Sequence, residues 1–311
     1  MKRIVIAGGS GFLGGVLIAH FGRQGFGVVN LSRSAAGSRA GCREVAWDGK
    51  ILGPWTNELE RAEAVVNLAG RSVNCRYHER NRREILDSRI ESTRVLGQAI
   101  ARCKHPPRVW LNSSTATIYK HTFGPAWDED GEIGGTPGVN DLFSVEVAQA
   151  WEQELNIAVT PHTRKVALRA AMVLGHGANS VFPVLRRLVR CGLGGRMGNG
   201  QQFASWIHQS DFCRALDLIL AHDDLSGPVN LASPTPLSNL EMMSTLRQLC
   251  GVPLGLPATR WMLELGAFVL RTETELILKS RRVVPGRLLS SGFEFRFPNF
   301  RAAASDLLAT A

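Results

Sequence analysis

Five glycines fall within eight positions near the start of the chain, in the segment "GGSGFLGG" that begins at Gly8. Gly8, Gly11 and Gly14 follow a G-x-x-G-x-x-G pattern, and Gly9, Gly11 and Gly14 satisfy G-x-G-x-x-G. Because glycine has no side chain, its backbone turns tightly and approaches a bound group closely. A helix that opens in such a turn presents free N–H groups and a partial positive charge to phosphate. The spacing predicts a pyrophosphate-binding turn made of Gly8, Gly9, Ser10, Gly11, Phe12, Leu13 and Gly14.

The segments around this turn strengthen the prediction. The apolar run "RIVIAG" precedes it, which is typical of a strand buried on both faces. A helical pattern, "GGVLIAHFGRQG", follows, and then comes a second apolar run, "GVVNLSR". A glycine-rich turn inside one βαβ unit is the arrangement of dinucleotide-binding folds, although a plain strand-to-helix turn would also contain glycine.

The residues that end the second strand indicate which dinucleotide fits. Folds that prefer NAD place an acidic residue here to bind the ribose hydroxyls, whereas this strand ends with Ser32 and Arg33. An arginine offers a rigid fork of donors that suits a 2′-phosphate. We therefore expect NADP(H) as the cofactor, the alternative being an ordinary surface arginine.

Strand and helix patterns alternate along most of the chain, which predicts a Rossmann-like, doubly wound parallel sheet of the α/β class. We expect the NADP-binding domain to span residues 1–174 and a smaller C-terminal substrate lobe to span 175–311. The chain is expected to re-enter the first domain around residues 204–232. Asp211 is expected to cap one helix, and Ser238 with Glu241 forms a capping-box pattern at another.

Composition limits the other possibilities. The 311 residues carry a formal net charge of +9 and are 44% hydrophobic, with no apolar run long enough for a membrane span. The six cysteines lie far apart, so we expect no metal site and reduced thiols in a cytoplasmic protein. Glycine follows the first apolar run too early for a signal peptide. The basic charge would suit nucleic acid, but no binding motif accompanies it, and we expect none to bind.

Several further motifs resemble those of the extended short-chain dehydrogenase/reductase superfamily, also called the NAD-dependent epimerase/dehydratase family. They are "GGSGFLG", "VVNLAG" ending at Gly70, "NSSTATIY" from Asn112, "LRAAMVLG" and "WIHQSD". "REILDSR", "GLGGRMGNGQQFASWIH" and "PGRLLSSGFEFRFP" resemble a less characterised, NADP-binding subgroup whose members are sometimes labelled cell-division inhibitors. The resemblance implies that these residues also belong to the cofactor site: Leu68, Ala69, Gly70, Glu84, Arg89 and Val173. For Glu84 and Arg89 the alternative is a solvated pair on a helix.

The acid/base pair of that superfamily is missing. Its active members use Tyr-x-x-x-Lys, in which the lysine lowers the pKa of the tyrosine. Here Phe143 and Val147 occupy the corresponding positions, and neither side chain transfers a proton. Thr115 matches the usual serine/threonine position. Tyr119, which follows it closely, is our candidate for the missing acid, with a packing role as the alternative.

Three further interpretations stay open at this stage. His208 and Asp211 could supply the proton, or water or the substrate itself could, or no turnover occurs. The glycine-rich loop after residue 190 is expected to border the substrate pocket, where Gln202 and Trp206 would contact an unknown small molecule. The sequence thus predicts either an NADP-dependent oxidoreductase or epimerase-like enzyme, or a catalytically silent NADP(H) sensor. The resemblance also implies a possible homodimer.

Overall fold

A computed structural model describes residues 2–33, 41–177, 179–259, 261–264 and 273–310. Its centre is a seven-stranded sheet in the order β10-β6-β5-β4-β1-β2-β3, and all six strand pairs are parallel. The strands of this sheet are β1 Arg3–Ala7, β2 Gly27–Ser32, β3 Arg43–Ala46, β4 Ala64–Asn67, β5 Val109–Thr115, β6 Arg164–Ala170 and β10 Gly227–Leu231. The strand order reverses between β1 and β4, as in a doubly wound Rossmann-like fold.

The first strand shows why its sequence is a continuous apolar run. Ile4 and Ile6 point to one face of the sheet and pack with the helices there, while Val5 and Ala7 pack in the cluster on the opposite face. All four residues are fully buried. Alternate side chains of a strand lie on opposite faces, so a strand covered on both sides must be apolar throughout.

Helices cover both faces of the sheet. On one face, α1 Phe12–Arg23 lies beside α5 Gln209–Ala221, and on the other, α2 Glu79–Ala101 lies beside α3 Leu142–Ile157. Two further helices are α4 Val181–Arg190 and α6 Asn239–Leu249. Within the described ranges, no helix has both the length and the apolarity needed to cross a membrane.

A second cluster of apolar side chains lies away from the sheet and contains Phe182, Trp206, Met243 and Phe300. Two small sheets accompany it: β7 Met172–Leu174 pairs with β9 Trp206–His208, and β8 Phe203–Ala204 pairs with β11 Leu237–Ser238. After β9 and α5, the chain returns to the edge of the main sheet as β10 before it forms β11. Residues on both sides of position 175 therefore build one sheet.

The two expected helix caps have different outcomes. The capping box of Ser238 and Glu241 is present at the start of α6. The expectation that Asp211 caps α5 is wrong, because the ring nitrogen Nδ1 of His208 accepts a hydrogen bond from the backbone N–H of Ser210, at 3.1 Å. Asp211 lies within the first turn of the helix instead, where an acidic group interacts favourably with the helix dipole.

Candidate functional site

The glycine turn, residues 8–14, lies at the carboxyl edge of the sheet between β1 and α1. Gly8 has φ 81°, and a Cβ added to it would lie 2.8 Å from the Cα of Ala69, just after β4. A Cβ added to Gly14 would lie 2.3 Å from the Cα of Gly9. Both positions therefore exclude a side chain, because two backbone segments meet there.

Gly11, in contrast to Gly8 and Gly14, has open space where a side chain would be. It is the N-cap of α1, no side chain caps that helix, and an added Cβ would meet nothing within 4 Å. The first N–H groups of a helix have no intrahelical partner. Ser10 and Gly11 are exposed, so this end of the helix is open to an anionic group.

A polar network behind the turn holds it in place. The backbone N–H of Gly9 donates to Asn30 Oδ1 at 2.8 Å, and Asn30 Nδ2 donates to both carboxylate oxygens of Glu44, at 2.9 and 3.0 Å. Ser32 Oγ also donates to Glu44, at 2.9 Å. No sequence motif marks this carboxylate, because only the register of β3 against β2 brings it opposite Asn30. Glu44 is thus engaged in supporting the turn, and Arg33 lies exposed just after β2.

The segment after β4 lies against the same turn. The backbone N–H of Leu68 donates to Ala7 at 2.8 Å, and that of Ala69 donates to Asn67 Oδ1 at 3.0 Å. A Cβ added to Gly70 would lie 3.2 Å from the guanidinium carbon of Arg89. The segment is therefore pinned between the glycine turn and α2.

Arg89 and Glu84 do not form a pair with each other. The Arg89 guanidinium donates to the backbone oxygens of Arg71 and Ile85, at 3.1 and 2.9 Å, and burial lowers its pKa to about 10. Glu84 accepts instead from Arg80 at 2.9 Å and from Arg71. The hydrogen bond from Arg80 lowers the pKa of Glu84.

Val173 and the start of α1 belong to one apolar cluster, which also includes Leu13. Next to them, a Cβ added to Gly175 or Gly177 would lie 2.5 or 2.3 Å from the ring of Phe12. β7 and the segment that follows it therefore pack on the helix that leaves the glycine turn.

The positions of the missing acid/base pair lie farther along the carboxyl edge, beyond β5. Thr115 ends β5, and its hydroxyl donates to that of Thr117 at 3.1 Å. On α3, Val147 is buried, and the ring of Phe143 makes an edge contact with Tyr77 at 5.0 Å between centroids. Phe143 also lies under the guanidinium of Arg82, at 4.8 Å.

A cavity of about 340 Å³ opens beside Phe143. Three distant stretches of chain supply its walls, and its lining residues are Arg76, Tyr77, His78, Arg82, Asn140, Phe143, Glu273 and Glu275. No periodicity or short motif connects these stretches in the sequence. Tyr77 and the two glutamates therefore could not be predicted as site residues from the sequence. The cavity combines basic, acidic and aromatic groups around the position that normally carries the acid.

Tyr119 lies outside this cavity and its hydroxyl is fully used. It donates to Asn230 Oδ1 and accepts from Arg169 Nη1, each at 2.8 Å, and the residue is 1% exposed. Arg169 in turn forms a buried ion pair with Glu152 at 2.8 Å. These contacts place the Tyr119 hydroxyl in a buried hydrogen-bond network, and its role in catalysis stays a prediction.

Gln202 and Trp206, the expected substrate contacts, are also enclosed. Gln202 Nε2 donates to the backbone oxygen of Met197 at 2.8 Å, and Trp206 Nε1 donates to that of Thr235 at 3.2 Å. They are 4% and 0% exposed, and neither lines the cavity. Trp206 belongs to the apolar cluster that contains Phe182 and Phe300, and both side chains are held by neighbouring backbone oxygens.

His208 and Asp211 likewise have structural partners. The Asp211 carboxylate accepts from the backbone N–H groups of Arg296 and Phe297, at 2.9 and 2.8 Å. His208 is buried, caps α5 and lies 3.3 Å from Asp306. Burial lowers the pKa of His208, which favours its neutral form.

Comparison with known proteins agrees with this geometry. Residues 4–232 match the NAD dependent epimerase/dehydratase family, and residues 258–307 match a domain of unknown function, DUF1731. The epimerase family protein SDR39U1 of Bos taurus is 30% identical over 311 residues, which cover 99% of this chain and 100% of the relative. The epimerase family protein YfhF of Bacillus subtilis is 29% identical, with 98% of each chain covered.

Two solved structures extend the comparison. The crystal structure of human epimerase family protein SDR39U1 with NADPH is 28% identical and superimposes with a TM-score of 0.86, covering 100% of both chains. The UDP-N-acetylglucosamine 4-epimerase of Bacillus cereus, at 19% identity and a TM-score of 0.75, shares the fold. With the family match spanning most of its length, this chain belongs to the NAD dependent epimerase/dehydratase family.

Proposed function

We propose that this protein binds NADP(H) along the carboxyl edge of its sheet and acts as an oxidoreductase or epimerase-like enzyme on a small molecule. The observation that carries the proposal is the open start of α1. Gly11 leaves the helix uncapped and unobstructed, while the contact between Gly9 and Gly14 brings the helix against the strand. Exposed N–H groups and the helix dipole then bind the pyrophosphate.

The choice of NADP(H) over NAD(H) rests on the end of β2. Arg33 is exposed there, and the Glu44 carboxylate of the neighbouring strand β3 is held by Asn30 and Ser32. A guanidinium binds a phosphate with two parallel hydrogen bonds. The human relative crystallised with NADPH supports the same choice.

The remaining cofactor residues follow from the neighbouring segments. Leu68, Ala69 and Gly70 would line the adenosine ribose beside the glycine turn, and Val173 would contact the cofactor from the opposite side. Arg89 would support this edge through its contact with Gly70. Thr115 would stand where the family places its serine or threonine, at the end of β5.

One specific observation favours a second function. Phe143 and Val147, at the positions of the usual acid/base pair, carry no proton-transferring group. A protein that binds NADP(H) without turning it over would act as a sensor that passes the signal to a partner.

Titration calorimetry with NADPH and NADH tests the cofactor proposal directly. Binding of NADPH with clear preference over NADH is the expected result, and absence of heat with both dinucleotides contradicts it. Consumption of NADPH with a panel of aldehydes and ketones then separates the enzyme from the sensor. Tight binding without consumption of NADPH by any compound favours the sensor.

A further inference from the structure

The cavity beside Phe143 contains one acidic group that the family pattern does not assign. Glu275 begins the short helix Glu275–Leu278 and is 7% exposed. Its Oε2 accepts a hydrogen bond from Ser144 Oγ at 2.8 Å, whereas its Oε1 is buried and has no hydrogen-bond partner among the described residues. An unpaired buried carboxylate oxygen is costly, so its retention in a cavity indicates a ligand-facing role.

We propose that Glu275 is the residue that gives and takes a proton in this cavity, which receives a small compound through its carbonyl or hydroxyl group. Its hydrogen-bond partner, Ser144, is the immediate neighbour of Phe143 on α3, so the carboxyl reaches the region where the family places its tyrosine. This inference rests on the proposed NADP(H)-dependent function.

A set of buried contacts fixes Glu275 relative to the end of β5. Arg281 donates to the backbone oxygen of Glu275 at 3.4 Å and to the hydroxyl of Thr117 at 3.1 Å. Thr117 in turn accepts from Thr115 at 3.1 Å. Lys279 connects the same elements. Its Nζ lies 2.8 Å from the Asp141 carboxylate and donates to the backbone oxygen of Thr117 at 2.8 Å. These contacts fix the backbone around Glu275, and the hydrogen bond from Ser144 orients its carboxyl, which is the positioning that proton transfer requires.

The charges that face Glu275 set its protonation. Burial is the largest influence and raises its pKa, and Asp141 raises it further. The hydrogen bond from Ser144 and the positive charges of Arg281 and Lys279 act in the opposite direction without cancelling the rise. A carboxyl whose pKa lies above its ordinary range holds a proton closer to neutral pH, which suits a general acid.

Tyr77, which also lines the cavity, carries a phenol hydroxyl that is less suited to the role. Burial raises its pKa to about 12, with the negative charge of Glu275 as the next cause. A phenol that holds its proton so firmly does not act as a base near neutral pH. Its ring instead packs against Phe143 and forms one wall of the cavity.

The proposed step balances as a carbonyl reduction. The carbonyl oxygen takes the proton from the Glu275 carboxyl, while the carbonyl carbon takes a hydride from the reduced nicotinamide dinucleotide of the proposed function. The ketone or aldehyde becomes an alcohol, and the dinucleotide is oxidised. The Glu275 carboxylate then regains a proton from water, which enters through the open side of the cavity.

Chemical labelling tests the acid without depending on turnover. N,N′-diisopropylcarbodiimide adds to a protonated, accessible carboxyl and leaves a stable N-acylurea. Treatment of the full chain at neutral pH, followed by peptide mass spectrometry, is expected to place this adduct on Glu275. Glu273 serves as an internal control because its carboxylate is engaged by the Tyr77 N–H at 2.6 Å and by Arg76 at 3.5 Å. Absence of the adduct from Glu275, or equal labelling of Glu273, overturns the proposal.

Turnover provides the second test. Glu275→Gln keeps the shape of the side chain and the contact with Ser144. The matched control is Glu146→Gln, which changes an exposed glutamate on α3, the helix that carries Ser144. Glu275→Gln is expected to lower kcat for NADPH-dependent carbonyl reduction by at least about 100-fold, the contribution of a general acid, with NADPH affinity unchanged. Undiminished kcat in Glu275→Gln overturns the role. So does a wild-type protein that binds NADPH and labels at Glu275 but reduces no carbonyl. Failure to bind NADPH instead overturns the proposed function, whatever the labelling shows.

Discussion

The glycine turn and the cavity around Glu275 lie along the same carboxyl edge but are built differently. The turn occupies seven consecutive residues, 8–14, and its shape follows from backbone contacts that allow no side chain at Gly8 or Gly14. The cavity takes its chemistry from Tyr77, Phe143 and Glu275, which lie far apart in the chain. A ligand common to a whole family can be held by one local motif, whereas an individual substrate is selected by side chains from several segments.

The same contrast appears in their tolerance of change. The turn is supported by Asn30 and Glu44, which lie in the sheet and hold Gly9 through its N–H group. The cavity is lined by the loop before α2, by the first turns of α2 and α3, and by Glu273 and Glu275, so its chemistry depends on side chains that lie outside the strands of the sheet. Phe143 can therefore stand where the proposed function would call for a tyrosine without altering the glycine turn.

Two alanine substitutions in the turn give the largest expected effects and test which of its glycines can carry a side chain. Gly14→Ala forces a methyl group to within 2.3 Å of Gly9, so we expect loss of NADPH binding and a fall of about 1–3 kcal/mol in the free energy of unfolding. Gly11→Ala places its methyl in open space and should leave stability nearly unchanged while weakening NADPH binding. Urea denaturation and NADPH titration measure both quantities. Equal destabilisation by the two variants would contradict the distinction between packing and ligand-facing glycines.

Tyr119→Phe tests whether chemistry occurs in the cavity or near the end of β5. The hydroxyl is buried between Asn230 and Arg169, so its removal leaves both polar partners short of a hydrogen bond. We expect a loss of about 1–3 kcal/mol in the free energy of unfolding. Turnover by the folded fraction, followed as NADPH consumption, should be unchanged. A large fall in kcat with stability preserved would restore Tyr119 as the catalytic acid.

Arg33→Asp tests the specificity of the nucleotide groove at its far end. The substitution removes the proposed phosphate partner and adds a negative charge, so NADPH affinity should fall by at least about tenfold, the equivalent of one charge-assisted hydrogen bond. NADH affinity should fall much less, because it carries no 2′-phosphate. Arg23→Asp, at the far end of α1, is the matched charge control. Equal losses for NADPH and NADH would remove Arg33 from the 2′-phosphate site.

The sequence allowed the sheet, the glycine turn and the family to be predicted because each depends on local patterns. Ile4 to Ala7 are apolar throughout since both faces are covered, and that pattern is visible without coordinates. The contact between Glu44 and the glycine turn could not be predicted from the sequence, because only the register of β2 and β3 brings Glu44 opposite Asn30. The burial of Gln202 and Trp206 depends on contacts with segments distant in the chain, which the sequence does not reveal.

The smallest expected effect concerns the protonation of Glu275 and separates the cavity from an ordinary surface. Burial raises the pKa of this carboxyl in the folded protein above its ordinary value of 4.5. As pH rises above that value, the unfolded chain releases the proton first, so the free energy of unfolding falls until Glu275 ionises in the folded protein as well. Below it, both states are protonated and the residue adds no pH dependence.

Glu275→Gln removes this titration, so its stability relative to the wild type should improve steadily between pH 4.5 and the raised pKa of the folded protein. Urea denaturation at intervals across that range measures the difference, and Glu146→Gln, exposed on α3, should follow the wild-type curve. Parallel curves for Glu275→Gln and the wild type would mean that Glu275 ionises in the cavity as easily as in water. The carboxyl would then lack the raised pKa that makes it a suitable proton donor. The cavity would no longer differ from the glycine turn by containing a group that can transfer a proton.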